Sequence, residues 1–168
     1  MEGENDVIEY DGLIYERTDD MSVLSDFCCG VFDMDDFIHR HLQNAVLREG
    51  LETYIIKSDN EALAVLSICE SVLKTRIATG ELIEYKTEEI EYLAVRKEMQ
   101  RRGIGRSIIN WIVERFRGKM TMLSVSAYRD IDTKYTAAPF YEKCGFLIVS
   151  KPCLLYTSPS PRDRSVSR

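Results

Sequence analysis

Residues 98–109 read EMQRRGIGRSII and join two patterns of different period. Before them, residues 88–95 (EEIEYLAV) end in apolar and aromatic side chains, which is typical of a central strand buried on both faces. After them, apolar residues recur at three- and four-residue spacing as far as Gly118, which predicts an amphipathic helix. The stretch is therefore a glycine-rich loop between a strand and a helix.

This loop has the composition of an anion-binding site. The first turn of a helix presents backbone amides and the positive end of the helix dipole. Gly103 and Gly105 let an anion approach those amides, and three arginines in the same loop favour negative charge. The chain contains no GxxxxGK[ST] string, and Ile108 stands where a GxGxxG fingerprint has its last glycine. A pyrophosphate fits the loop, although the loop alone also fits a tight turn with a solvated basic face.

A second segment indicates which class of protein the glycine-rich loop belongs to. Residues 138–149 (APFYEKCGFLIV) combine a short helix with a Cys-Gly turn into a strand. Together the two segments resemble the GNAT superfamily of acyl-CoA-dependent N-acyltransferases. The first resembles its signature [QR]-x-x-G-x-[GA], and the second, at Phe140, Tyr141, Gly145 and Phe146, resembles its FYxxxGF motif. The order of elements also agrees from about residue 7 to Pro152, and the match is specific for the superfamily but poor for substrate.

The resemblance implies acetyl-CoA as co-substrate and a defined set of contacts. The pyrophosphate would lie on the loop amides, and the pantetheine arm would pair like an extra strand where two strands splay apart. The residues implied in cofactor binding are Leu93, Ala94, Val95, Gln100, Arg101, Arg102, Gly103, Ile104, Gly105 and Arg106. The implied fold is α/β (α+β), with a mixed, mostly antiparallel sheet splayed between its fourth and fifth strands and flanked by helices.

The implied chemistry is direct attack of an amine on the thioester, without a covalent enzyme intermediate. Tyr141 matches the family position of the general acid that protonates the leaving thiolate, although a tyrosine packed in the core is the structural alternative. Glu89 and Glu91 lie two residues apart, on one face of a strand, and are candidates for the base that deprotonates the amine. Both glutamates also fit solvated edge charges.

The remaining elements are predicted from local patterns. Residues 7–15 and 53–57 predict strands, and residues 62–73 predict a strand that pairs with the second of these. Residues 33–48 predict one amphipathic helix that begins at Asp33 and stops at Gly50. Residues 74–86 are ambiguous. The other predicted elements are a short helix at 22–27, strands at 121–127 and 146–149, and a short helix at 136–143.

The chain changes character after Pro152. From Cys153 it is rich in Ser, Pro and Arg, and Cys153 to Asp163 resembles a transposase sequencing adaptor translated in frame. We therefore expect residues 1–152 to be one C-terminally truncated GNAT domain and residues 153–168 to be a non-native, disordered tail. The last strand of the fold is then expected to be missing or replaced by adaptor sequence. A natural disordered tail is the alternative.

Composition limits the possible partners and location. No apolar run approaches the length of a membrane span, and the acidic N-terminus lacks the features of a signal peptide, so we expect a cytoplasmic, bacterial-type protein without membrane contact. Five scattered cysteines are typical of reduced thiols. His39 and His41 are two residues apart on a predicted helix and do not share a face, so we predict no metal site.

The acceptor is the least determined part. Residues 27–45 loosely resemble a segment of acetyltransferase toxins of toxin–antitoxin pairs, which acetylate aminoacyl-tRNA; here Cys29-Gly30 and Asp36-Phe37 agree with that segment. The net charge of −6 disfavours nucleic acid in general, so a small-molecule or protein amine is preferred, with charged tRNA as the alternative. A non-catalytic acyl-CoA-binding module is a further alternative, and both monomer and homodimer are compatible.

Overall fold

The computed structural model describes residues 6–119, 122–149 and 153–156 and has a mixed α/β architecture. The strands are β1 (Val7–Tyr10), β2 (Leu13–Arg17), β3 (Glu52–Ser58), β4 (Glu61–Arg76), β5 (Leu82–Val95), β6 (Met122–Ser126), β7 (Leu147–Ile148) and β8 (Cys153–Tyr156). The helices are α1 (Phe32–Arg40), α2 (Leu42–Glu49), α3 (Ile104–Phe116) and α4 (Ala138–Lys143). The α/β class and the order of elements agree with the prediction.

The chain divides into two compact units, each made of two segments. The first unit is Met1–Cys69 with Ile90–Trp111, and the second is Glu70–Glu89 with Ile112–Arg168. The boundaries between the units fall within strands β4 and β5 and within helix α3.

The first unit begins with a hairpin where the sequence predicted a single strand over residues 7–15. Strands β1 and β2 pair antiparallel, with Tyr10 opposite Leu13. The two residues between them, Asp11 and Gly12, both have positive φ, at 54° and 74°. Two consecutive left-handed residues form the tight turn that suits a two-residue hairpin, and Asp-Gly is a preferred pair for it. The prediction overlooked that turn and was wrong in counting one strand.

The predicted helix over residues 33–48 is also two elements. Helix α1 ends and α2 begins at His41, whose φ and ψ of −121° and −29° leave the helical range. Helix α1 starts from Val31 without a side-chain cap, so the predicted cap at Asp33 was wrong. The predicted stop at Gly50 is confirmed, because Gly50 adopts φ +69° directly after α2.

The sheet of the first unit carries a core on each face. Strands β1, β2, β3 and β4 lie in that order, and each neighbouring pair is antiparallel. On one face, Ile55 and Val65 pack in a buried cluster with side chains of α1 and α2, such as Ile38 and Val46. On the other face, Trp111 of α3 stacks on Tyr15, with ring centroids 4.4 Å apart. Burial of these aromatic surfaces fixes the first half of α3 on the sheet.

In the second unit β8 lies between β6 and β7 and pairs antiparallel with both. The expectation that the chain is disordered from Cys153 on is therefore wrong for Cys153–Tyr156. The backbone of residues 153–156 pairs with β6 on one side and with β7 on the other, and this pairing makes the segment a strand. Residues 153–156 thus occupy the last-strand position expected to be missing or replaced, and residues 157–168 lie outside the described residues.

Residues 74–86, ambiguous in sequence, continue two strands. Strand β4 extends to Arg76 and β5 starts at Leu82, with Lys74 and Glu84 forming an ion pair of 2.8 Å. Farther along the second unit, the Thr87 and Ser124 hydroxyls are 3.0 Å apart and buried.

Within the described ranges, the helices lack the length and apolar character needed to cross a bilayer.

Candidate functional site

The loop between β5 and α3 contains two left-handed residues in quick succession. A short 3-10 turn, Lys97–Met99, follows β5, and then Arg101 and Gly103 adopt φ of 60° and 85°. The amide of Ser107 donates to the Gly103 carbonyl at 2.9 Å, so Gly103 caps the first turn of α3. A β-carbon on Gly103 would meet nothing within 4 Å. The space beside Gly103 at the start of α3 is therefore unfilled, which is compatible with the predicted approach of an anion.

Gly105 differs from Gly103 in its backbone conformation. It lies inside the first turn of α3 and has no positive φ, so it needs no special backbone conformation. What it contributes is the lack of a side chain beside the helix start. Arg101 and Arg102 are exposed, while Ile104 is buried and anchors the turn.

The side chain of Gln100 anchors the loop between β5 and α3 through two hydrogen bonds. Its side-chain Nε2 donates to the Cys29 carbonyl at 2.7 Å and to the Val95 carbonyl at 2.9 Å. These two bonds use both N–H groups of the amide. The side chain of Gln100 thus ties the end of β5 to a distant loop, and any contact of this residue with a cofactor would come from its backbone or its amide oxygen.

Arg96 is a second anchor, which the sequence analysis did not single out. Its backbone amide donates to the Leu63 carbonyl at 2.8 Å, and its Nε donates to the Ala62 carbonyl at 2.9 Å. Its guanidinium also lies 3.3 Å from the Asp26 carboxylate and is only 12% exposed. The arginine directly after β5 is therefore a structural residue, although by sequence it belongs to the same basic stretch as the loop arginines.

The predicted pantetheine-binding segment lies at the end of β5. Leu93 and Val95 are half-buried and Ala94 is buried. The Val95 carbonyl accepts a hydrogen bond from the Gln100 side chain, which ties the end of this segment to the loop that follows. Near this segment the ring of Tyr92 stacks on Phe37 of α1, with centroids 4.1 Å apart.

The loop before α1 is clamped by one carboxylate. The amides of Cys29 and Gly30 donate to Asp35, at 2.7 Å and 3.1 Å, and the Cys28 thiol donates to it at 3.2 Å. Burial alone would raise the pKa of Asp35, but these hydrogen bonds together hold the pKa below its ordinary value. The neighbouring Cys29 thiol is buried, and burial raises its pKa to about 12.

Tyr141 belongs to the second unit and lies on α4. It is 6% exposed and packs edge-on against Phe140 and Phe146, with ring centroids 5.0 Å and 5.5 Å away. Burial, followed by the nearby Cys144 and Tyr135, raises the pKa of the phenol far above its ordinary value. The FYxxxGF motif thus forms one aromatic cluster around a phenol that stays protonated at neutral pH.

The two candidate bases have different surroundings. Glu89, in the second unit, is half-buried and accepts a hydrogen bond of 3.1 Å from the Ser126 hydroxyl. Glu91, in the first unit, is exposed and accepts from the Cys69 thiol at 3.9 Å. The carboxylate of Glu89 is therefore the less exposed of the two.

Comparison with known proteins identifies the family. Residues 50–147, more than half of the chain, match the acetyltransferase (GNAT) domain. The chain therefore belongs to the GNAT acetyltransferase family, and it is an acyl-CoA-dependent acetyltransferase with acetyl-CoA as co-substrate. The family, the enzyme class and the co-substrate predicted from the two motifs are confirmed. No curated protein matches the chain.

Several solved structures are similar in fold. A Tyr-to-Phe mutant of the toxin AtaT is 20% identical, with a TM-score of 0.70 over 91% of this chain and 94% of that one. AtaT complexed with acetyl-methionyl-tRNAfMet is 20% identical, with a TM-score of 0.65 over 86% and 94%. A Tyr-to-Phe mutant of KacT is 18% identical, with a TM-score of 0.64 over 87% and 95%. These similarities confirm the GNAT-like fold.

Proposed function

We propose that this acetyltransferase transfers the acetyl group to a primary amine by direct attack on acetyl-CoA bound at the loop from Gln100 to Arg106. The start of α3 carries this proposal. Gly103 caps the first helical turn with φ +85°, and the space where its β-carbon would stand is open. A pyrophosphate there accepts from backbone amides and lies at the positive end of the helix.

The reaction then needs one bond formed and one broken. The amine nitrogen attacks the thioester carbonyl carbon, and the carbon–sulfur bond breaks as the amide forms. Tyr141 supplies the proton that the leaving thiolate takes up. The match of Tyr141 to the FYxxxGF motif supports this role, and the phenol carries its proton throughout the neutral range.

The amine must also lose a proton. We propose Glu89 first for this step, acting directly or through water, because its carboxylate is half-buried and restrained by Ser126. Glu91 is the second candidate, since it is exposed and fits a solvated charge equally well. The excess proton passes to the carboxylate and then to solvent, and solvent returns a proton to the Tyr141 phenolate after the thiol has formed.

Two acceptor classes follow from different observations. The net charge of −6 supports a small-molecule or protein amine, because tRNA binding draws much of its affinity from phosphate neutralisation. The similarity in fold to AtaT, which extends over nearly the whole of both chains, supports the α-amino group of an aminoacyl-tRNA. Both are primary amines and would use the same Tyr141 and Glu89 chemistry.

An acceptor panel tests the proposal. Purified protein is incubated with acetyl-CoA and either free amino acids, polyamines, a peptide with a free N-terminus, or charged tRNA with uncharged tRNA as control. Thiol release and the mass of the acetylated product are measured together. Transfer to at least one amine supports the function and identifies the class. Binding of acetyl-CoA without transfer to any acceptor would favour the non-catalytic alternative, and absence of binding would refute the proposal.

A further inference from the structure

The carboxylate of Asp35 has no part in the chemistry proposed above. It lies in the first turn of α1, where its own amide donates to the Val31 carbonyl at 2.9 Å. Its side chain turns back to the chain that precedes the helix and accepts from the amides of Cys29 and Gly30. A carboxylate that accepts two backbone amides is a strong clamp, because such charge-assisted hydrogen bonds are about twice as strong as neutral ones.

The clamped loop in turn holds the loop between β5 and α3. The Cys28 carbonyl accepts from the Lys97 amide at 2.8 Å. The Cys29 carbonyl accepts from the side chain of Gln100 at 2.7 Å. Residues 28 and 29 therefore present both of their carbonyls to the segment that leads into Gly103. If their orientation changes, both bonds are lost together.

Close packing strengthens the same link. Gly30 has φ +85°, and a β-carbon at this position would stand 3.1 Å from Cδ of Lys97. The Lys97 stem therefore lies directly over the backbone of Gly30, and only a glycine fits without displacing it. Three contacts thus join residues 28–30 to residues 97–100, and Asp35 fixes the first of these segments.

We propose that Asp35 is a positioning residue that sets the acetyl-CoA loop through residues 28–30 and Gln100. The Asp35 carboxylate fixes the peptide groups that contain the Cys29 and Gly30 amides. The carbonyls of residues 28 and 29 bind Lys97 and Gln100, and Gln100 in turn binds the Val95 carbonyl at the end of β5. The part that concerns acetyl-CoA rests on the proposed function, whereas the coupling between the two loops does not. Residues 28–30 lie in the segment before α1. A change in their conformation would therefore alter the cofactor loop without direct contact with the cofactor.

The test compares Asp35→Ala and Asp35→Asn with Asp36→Asn as the matched control. Asp36 is the next residue of the same helix, and its carboxylate pairs with Arg40 at 2.9 Å. Hydrogen exchange is measured on peptides covering residues 96–104, and acetyl-CoA affinity is measured by titration. We expect faster exchange in those peptides and an affinity about tenfold weaker for Asp35→Ala, because one charge-assisted hydrogen bond is worth about that factor. Asp36→Asn should match the wild type in both.

A kinetic comparison separates positioning from general loss of structure. Asp35→Ala should raise KM for acetyl-CoA while kcat stays within about threefold, since the reacting groups are unchanged. Asp35→Asn keeps one acceptor oxygen, so its KM for acetyl-CoA should lie between those of the wild type and Asp35→Ala. It also serves as the milder variant if Asp35→Ala does not fold. Unchanged exchange at residues 96–104 in a folded Asp35 variant would overturn the proposal. Faster exchange in a protein that binds no acetyl-CoA would keep the coupling and refute the proposed function.

Discussion

Replacing Gly103 with alanine tests the anion site at the start of α3, and a second glycine provides the control. Gly118 follows the end of the same helix, with φ +78° against +85° for Gly103. A β-carbon at either position would meet nothing within 4 Å. Both substitutions therefore cause only backbone strain, which is about 1–2 kcal/mol for a left-handed residue. The free energy of unfolding should fall by the same amount in Gly103→Ala and Gly118→Ala.

Affinity for acetyl-CoA should separate the two variants. In the proposed site, the β-carbon of Gly103→Ala would enter the space from which the pyrophosphate approaches the helix amides, whereas the β-carbon of Gly118→Ala lies after the last turn. Losing one amide-to-phosphate hydrogen bond weakens binding by at least about tenfold. Chemical unfolding gives the first quantity and calorimetric titration with acetyl-CoA gives the second. Equal affinities for Gly103→Ala and Gly118→Ala would refute the placement of the pyrophosphate at this helix start.

Three further predictions concern protons and thiols. The value of kcat/KM should rise with pH as the acceptor amine deprotonates. Because the pKa of Tyr141 is raised, kcat/KM should not fall near the ordinary phenol value of 10.0, and a fall centred there would contradict the assignment of Tyr141 as the acid. Because the pKa of Asp35 is lowered, its stabilisation exists above its ordinary value of 3.8 and is lost as pH falls through the folded pKa. The wild type should therefore exceed Asp35→Asn in free energy of unfolding at pH 7, with the difference shrinking below about pH 4. Peptide mass mapping after iodoacetamide should find the exposed Cys28 modified before Cys29, whose thiol is buried and weakly acidic.

Much of the fold was predictable because local signals agree with it. The period change across residues 88–118 correctly predicted strand, loop and helix, and the glycine at position 50 correctly predicted a helix end. The errors lie where a turn competes with a periodic pattern. Asp11-Gly12 splits one alternating run into a hairpin, and His41 divides one helical run into two helices without any proline or glycine as a signal.

The motifs of the candidate site could be predicted from the sequence, but the hydrogen bonds that hold its loops could not. Gly103 and Tyr141 follow from family motifs, and the structure adds that Gly103 has a left-handed conformation and that Tyr141 lies in a buried aromatic cluster. The Gln100 side chain reaches the Cys29 carbonyl, 71 positions away, and no local pattern encodes that contact. The Asp35 carboxylate contacts residues five to seven positions away, but no periodic pattern encodes those hydrogen bonds either. Arg96 differs from the loop arginines only through its contacts with Asp26 and Ala62.

The role of Tyr141 is tested most directly by single-turnover acetyl transfer. Tyr141→Phe removes only the phenol oxygen from a buried aromatic cluster, and Tyr85→Phe removes the same atom from a side chain that is 39% exposed. Each variant is saturated with acetyl-CoA and mixed with the best acceptor of the panel. Loss of a general acid should slow transfer in Tyr141→Phe by at least about a hundredfold, with acetyl-CoA affinity unchanged and Tyr85→Phe at the wild-type rate. Transfer by Tyr141→Phe at the wild-type rate would contradict the proposed mechanism.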